Sequence, residues 1–181
     1  ELNKNWIPKL KKFSESLGVD FLVSPFDIDS AKTLKKNNLA GYKIASSELT
    51  NIKMVNYLSS IKKPLFVSTG MSDLIDVKNA LKILKKNKNN KIVLMQCGSM
   101  YPLPEKFTNL RVLDTFKKFK LQLGFSDHTK GIFSAIVAIG LGAMIFEKHF
   151  TLSKNSKGPD HFFALEPSQF KRYVKNIHHK N

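Results

Sequence analysis

One pattern recurs along the chain and constrains its fold more than any other feature. A short apolar run ends in a cluster of Ser, Thr, Glu, Lys, Asp or His, and a segment with apolar residues at helical spacing follows. The clearest case is 121–150, where two apolar runs finish in Ser126-Asp127-His128 and Glu147-Lys148-His149. Residues 132–146 between them carry no charge and are too few to span a membrane. Strand, short helix, strand is the expectation, with both polar clusters at carboxyl ends of neighbouring strands. Upstream, strands are expected at 19–23 (ending in Ser24-Pro25-Phe26-Asp27), 42–45 (Ser46-Ser47-Glu48), 65–67 (Ser68-Thr69-Gly70) and 92–96 (Cys97-Gly98-Ser99).

Helical spacing fills the intervals. Trp6, Leu10, Phe13 and Leu17 mark a helix over 5–17 with Pro8 in its first turn and Gly18 as its stop. Asp29 or Ser30 is expected to cap a helix running through Leu34 and Leu39. Further helices carry Ile52, Val55, Leu58 and Ile61, then Val77, Leu81 and Leu84, then Leu110, Leu113 and Phe116. Residues 85–90 read as a surface turn, 151–167 as a loop and 168–179 as a last helix.

Six β–α units spaced roughly 20–30 residues apart predict a parallel α/β architecture. Polar residues gathered repeatedly at one strand edge favour a barrel whose rim is the active site. A closed eightfold barrel needs about 250 residues. The expected fold is therefore an incomplete (β/α)8 TIM barrel lacking its first two strands, in keeping with Glu rather than Met at position 1. The first and last strands would then be unpaired edges that favour aggregation.

The net charge of +16 invites a nucleic-acid reading. The basic residues argue against it: nearly all are lysines in scattered pairs, and Arg111 and Arg172 are the only arginines. A solvated basic surface explains them, so no nucleic-acid or membrane partner is expected. The single cysteine, Cys97, excludes an internal disulfide, fits a cytoplasmic setting and reads as structural.

His128 and His149 stand at adjacent strand ends, each near a carboxylate, Asp127 or Glu147. Two imidazoles leave coordination positions for water or substrate oxygens, which suits a catalytic Mn²⁺, Mg²⁺ or Zn²⁺. Ordinary surface or core histidines are the competing reading. Lys43 lies within an otherwise apolar strand, where its ammonium needs an anion. With Ser24, Ser46, Ser68, Ser99 and Ser126 near strand ends, it could cradle a phosphate or carboxylate, although serine is also a common turn residue. Glu48 is a candidate acid/base, or a helix-start charge favoured by the dipole. Tyr101 and Asp160 could hydrogen-bond a polyol, or serve packing and a turn.

Tyr42-Lys43-Ile44-Ala45-Ser46-Ser47-Glu48, Val67-Ser68-Thr69-Gly70-Met71, Gly124-Phe125-Ser126-Asp127-His128-Thr129, Glu147-Lys148-His149-Phe150 and Gly158-Pro159-Asp160-His161 together resemble the sialic acid (N-acetylneuraminate) synthase family. Their order and spacing match over essentially the whole chain. The resemblance implies a TIM-barrel transferase that condenses phosphoenolpyruvate with an N-acetylated hexosamine of the N-acetylmannosamine type. The product is a nine-carbon 2-keto sugar acid, and phosphate is released. It further implies that His128 and His149 bind Mn²⁺ or Mg²⁺. Ser24, Lys43, Ser46, Ser68, Ser99 and Ser126 would hold phosphoenolpyruvate, Glu48 would be the active-site carboxylate, and Tyr101 and Asp160 would contact the amino sugar. Ser24 and Ser99 depart from the Thr and Asn frequent in the family.

By the same resemblance, residues 1–181 are the central part of the catalytic barrel. The family's N-terminal strands, which carry a further glutamate and a phosphate-binding lysine, are expected to be absent, as is its C-terminal antifreeze-like domain. The full-length enzyme would be a homodimer, and this piece alone would turn over negligibly. A legionaminic or pseudaminic acid synthase with the same chemistry is an alternative, as is a catalytically inactive fragment.

Overall fold

The computed structural model describes residues 2–178. In chain order its elements are α1 (Ile7–Ser16), β1 (Leu22–Val23), α2 (Ile28–Lys36), β2 (Gly41–Ile44), α3 (Ile52–Ser60), β3 (Leu65–Ser68), α4 (Leu74–Lys86), β4 (Ile92–Cys97), α5 (Val112–Phe116), β5 (Gln122–Asp127), α6 (Phe133–Gly140), β6 (Ile145–Lys148) and α7 (Pro167–His178), with short 3-10 turns between some of them. Every strand is followed by a helix, as the alternating pattern predicts. The chain divides into two compact units, Glu1–Val93 and Leu94–Asn181.

In the first unit β1 pairs in parallel with β2, Leu22 opposite Gly41, and β2 pairs in parallel with β3, Lys43 opposite Phe66. The strands are short apolar runs because helices cover them. Their residues Tyr42, Ile44, Leu65 and Val67 are fully buried with Leu58 and Leu84 of the helices.

Four expectations change here. Asp27, not Asp29 or Ser30, caps α2: its backbone is extended and its Oδ1 accepts from Ser30 N at 2.7 Å. That helix ends at Lys36, and Leu39 is buried beyond it, past Asn38 at φ 47°. Residues 85–90 are not all surface: Lys85 and Lys86 finish α4, and Asn89 is buried. Its amide donates to Lys63 O at 3.0 Å and its Oδ1 accepts from Lys91 N at 3.0 Å, pinning the entries to β3 and β4. Gly18 ends α1 at φ 69°, as expected, because a left-handed turn there suits glycine. Strand β1 is shorter than the apolar run at 19–23, because only Leu22 and Val23 find partners on β2.

In the second unit β5 and β6 are parallel, with Ser126 opposite Glu147 and Asp127 opposite Lys148. Close approach requires a glycine at 124, where an added Cβ would sit 2.9 Å from Ile145 O. Below these strands Ala135, Leu165 and Tyr173 form a buried cluster flanked by Ile132, Phe146, Phe170 and Ile177. The 151–167 segment is irregular, tied by a bridge between Phe150 and Leu165. Helix α7 matches the expected last helix; position 179 lies outside the described residues. No helix among the described residues is long and apolar enough to cross a membrane.

Candidate functional site

Side chains alternate across a strand, so consecutive residues at a strand end face opposite ways. At the ends of β5 and β6 this alternation sorts the polar residues into two sets. Ser126 and Glu147 meet on one side, where the Ser126 hydroxyl donates to Glu147 Oε1 at 2.6 Å. Asp127 and Lys148 meet on the other, their side chains 0% and 3% exposed and their charged atoms 2.8 Å apart.

The two histidines come next in each strand, and the structure brings them together. Their ring centroids are 5.3 Å apart, edge to face. His128 Nδ1 lies 2.7 Å from Gly98 O, just past β4. A carbonyl only accepts, so this bond puts the proton on Nδ1 and leaves Nε2 with the lone pair of the neutral ring. The loop after β4 is itself fixed to β5, since Leu103 N donates to His128 O at 2.9 Å. His149 is held below its ordinary pKa, first by burial and then by the neighbouring His128, so at neutral pH its ring is also an electron-pair donor. Its Nδ1 stands 3.7 Å from Asp160 Oδ2.

An aromatic wall closes this corner. The Tyr101 ring lies 4.2 Å from His128 and 5.8 Å from His149, and Phe163 is 4.9 Å from His149. Tyr101 keeps its phenol proton well into the alkaline range, because partial burial and nearby acids raise its pKa. Asp160 and Tyr101 are both about half exposed, at 54% and 52%, so each has a face open to a ligand. Ser99 is exposed in the same loop as Tyr101. Cys97 is buried, with its sulfur 3.8 Å from His128 Nδ1.

The carboxylate adjacent to His128 in sequence does not join it as a ligand. Asp127 is committed to Lys148, to Thr129 N and Oγ1 at 2.9 and 2.7 Å, and to the Tyr173 hydroxyl at 3.1 Å. Among the described residues no group of three or more His, Cys, Asp and Glu could hold a metal ion. The two imidazoles are the nitrogen donors this corner presents. Lys148, Thr129 and Tyr173 escaped the sequence reading. The available signal was the two-residue period, which sets Asp127 and Lys148 out of phase with both histidines.

In the first unit the other candidates sit at the carboxyl ends of their strands. Ser24 Oγ donates to Lys43 O at 3.3 Å, and Ser46 Oγ accepts from Gly70 N at 3.0 Å, joining the ends of β2 and β3. Glu48 Oε2 accepts from Asn51 Nδ2 at 2.9 Å, while Asn51 Oδ1 caps α3. Lys43 is half-buried in β2. Ser68, the last residue of β3, is 1% exposed, and its hydroxyl has no hydrogen-bond partner among the described residues.

Each unit carries polar side chains at the carboxyl ends of parallel strands, the edge where α/β folds place their ligands. The chain belongs to the NeuB family, whose profile matches residues 1–181. It is 40% identical to an N,N'-diacetyllegionaminic acid synthase of Campylobacter jejuni, over 91% of this chain and 50% of that protein. It is 30% identical to the N-acetylneuraminate-9-phosphate synthase of Homo sapiens, over 98% of this chain and 50% of that protein. The crystal structure of the spore coat polysaccharide biosynthesis protein spsE of Bacillus subtilis superposes with a TM-score of 0.92 at 33% identity, covering 98% of this chain and 50% of that one. The chain thus spans about half the length of the curated relatives it matches.

Proposed function

We propose that these residues serve a metal-dependent synthase that condenses phosphoenolpyruvate with an N-acetylated hexosamine of the N-acetylmannosamine type. The products are a nine-carbon 2-keto sugar acid and phosphate, and the enzyme works in the cytoplasm. The observation that carries the reading is the pair of imidazoles 5.3 Å apart, one with its Nδ1 proton committed to a carbonyl. Two imidazoles completed by water or substrate oxygens suit Mn²⁺ better than Mg²⁺, which prefers an all-oxygen shell. Held by His128 and His149, such an ion supplies Lewis acidity toward the aldehyde oxygen of the open-chain sugar.

The chain's own groups do the rest. In the first unit Lys43 supplies a cation, and Ser24, Ser46 and Ser68 supply hydroxyls suited to the anionic groups of phosphoenolpyruvate. The buried, unpartnered Ser68 hydroxyl favours this role, because such a group is costly until a ligand engages it. In the second unit Ser99 and Ser126 supply hydroxyls of the same kind. Carbon–carbon bond formation leaves positive character at C2 of the enolpyruvyl group, and the Glu48 carboxylate offsets it or takes the proton of the attacking water. Tyr101 and Asp160 hold sugar hydroxyls, Tyr101 remaining a donor because its pKa is raised.

A second reading, with a sugar that bears two acetamido groups, is favoured by the higher identity to the legionaminic acid synthase than to the human enzyme. Phosphate release from phosphoenolpyruvate decides both. The protein encoded by the whole reading frame is expected to release phosphate only with Mn²⁺ or Mg²⁺ and one of the two sugars. Release that persists undiminished in His128→Ala or Glu48→Gln would overturn the assignment.

A further inference from the structure

We propose that Asp127 and Lys148 are positioning residues that fix the two imidazoles relative to each other. Each directly precedes one of the histidines, and the two are register partners across β5 and β6. Their contacts reach into the turn that follows His128. Asp127 Oδ1 accepts from both Thr129 N and Thr129 Oγ1, and Asp127 Oδ2 accepts from Tyr173 on α7. The Lys148 ammonium donates to Thr129 O and, at 3.2 Å, to Gly131 O, and lies 5.4 Å from the Tyr173 ring centroid.

One ammonium and one carboxylate thus tie β6, the end of β5, the 129–131 turn and α7 into a single knot, wholly on the face opposite the histidines. Apolar side chains of similar size could fill that volume but could not direct it, since dispersion has no preferred angle whereas these bonds do. His128 is the residue between the two anchored points, Asp127 and Thr129, so its backbone has little room to turn. His149 follows the residue that supplies the cation. Across these two strand ends the rings stand 5.3 Å apart. Groups that orient metal-binding histidines from behind change metal affinity by about 10–100-fold when removed.

The inference rests on the metal-binding reading for one of its two readouts only. Removing a single charge would leave its partner buried and can unfold the chain, so the test variant is Asp127→Asn/Lys148→Met, which removes both. The first readout is NMR of the imidazoles: the His128 Nδ1 proton on Gly98 and the cross-ring contacts between His128 and His149. The second is Co²⁺ affinity read from visible absorption. The double variant is expected to unfold cooperatively, lose the cross-ring contacts and bind Co²⁺ about 10–100-fold more weakly, while Lys148→Arg stays close to wild type. Unchanged ring contacts in a cooperatively folded double variant would overturn the inference. Should the double variant not fold, Tyr173→Phe decides, because it deletes one bond to Asp127 and no charge. Weakened ring contacts there support the inference and intact ones overturn it. Failure of the wild-type chain to bind Co²⁺ would sink the metal reading, leaving the ring contacts to judge the positioning role.

Discussion

Ser68 and Ser126 occupy comparable positions, one in β3 of the first unit and one in β5 of the second, and each is 1% exposed. Their hydroxyls have opposite fates. That of Ser126 donates to Glu147, whereas that of Ser68 is buried without a partner. Around Ser126 the polar groups are satisfied by one another: Asp127 by Lys148, Thr129 and Tyr173, and His128 by Gly98. The second unit's strand edge is therefore tied together by its own side chains. At Ser68 the first unit buries a hydroxyl that finds no hydrogen-bond partner among the described residues. The two strand ends thus differ in how they satisfy a buried hydroxyl.

The contrast can be broken at several points. The largest effect is expected from Lys148→Met, which strands a carboxylate at 0% exposure. A loss of about 3–5 kcal/mol in urea unfolding is the expected outcome, and a loss below about 1 kcal/mol would show that the second unit's order does not depend on the pair. Next comes His128→Ala. If His128 holds the proposed metal ion, its loss is expected to lower turnover of the whole protein on the order of a hundredfold or more, with the midpoint of thermal unfolding of the chain changed far less. The serines should then answer with opposite signs. Ser68→Ala is expected to stabilise the chain by about 1 kcal/mol while weakening phosphoenolpyruvate binding. Ser126→Ala is expected to destabilise it by about 1 kcal/mol, since Glu147 loses one hydrogen bond. Equal effects would erase the distinction between the two strand ends.

The smallest effect concerns pH at the start of α2. Asp27 is held below its ordinary 3.8 by the hydroxyl and backbone N–H of Ser30. A carboxylate whose pKa is lowered on folding adds stability above its ordinary value, and that stability is lost as pH falls through the lowered one. Residues 28–30 should therefore keep their helical NMR shifts down to the ordinary carboxylate range and fray only below it. Fraying that begins near neutrality would remove Asp27 as the cap.

The repeating strand–helix order was legible because two periods, near two and near 3.6, leave different marks in sequence. Periodicity tells which residues share a face and says nothing of what covers that face. Trp6, Phe13 and Leu17 illustrate the limit: they recur at helical spacing, yet each is more than half exposed, and in α1 only Ile7 is buried. The cap of α2 was misplaced because Asp27, Asp29 and Ser30 all carry suitable oxygens, and only the extended backbone at Asp27 aims one at the helix. The histidines were found because they end apolar runs. Reading Asp127 as their neighbour used adjacency in sequence where alternation across the strand was the relevant rule. Gly98 O, which sets the His128 tautomer, is a backbone atom, and no side-chain pattern announces it.

The pairing of Asp127 with Lys148 has a consequence for how the chain finds its fold. Parallel strands of apolar residues can slide past one another with little penalty, because one branched side chain replaces another. A shift of β6 by one residue would place Lys148 opposite Ser126 or His128 instead of Asp127. It would also carry the ammonium to the wrong face of the sheet, so a misaligned pairing would have to bury a cation without its counter-ion. The pair is thus a checkpoint on assembly: it admits one alignment of these two strands and penalises the neighbouring ones.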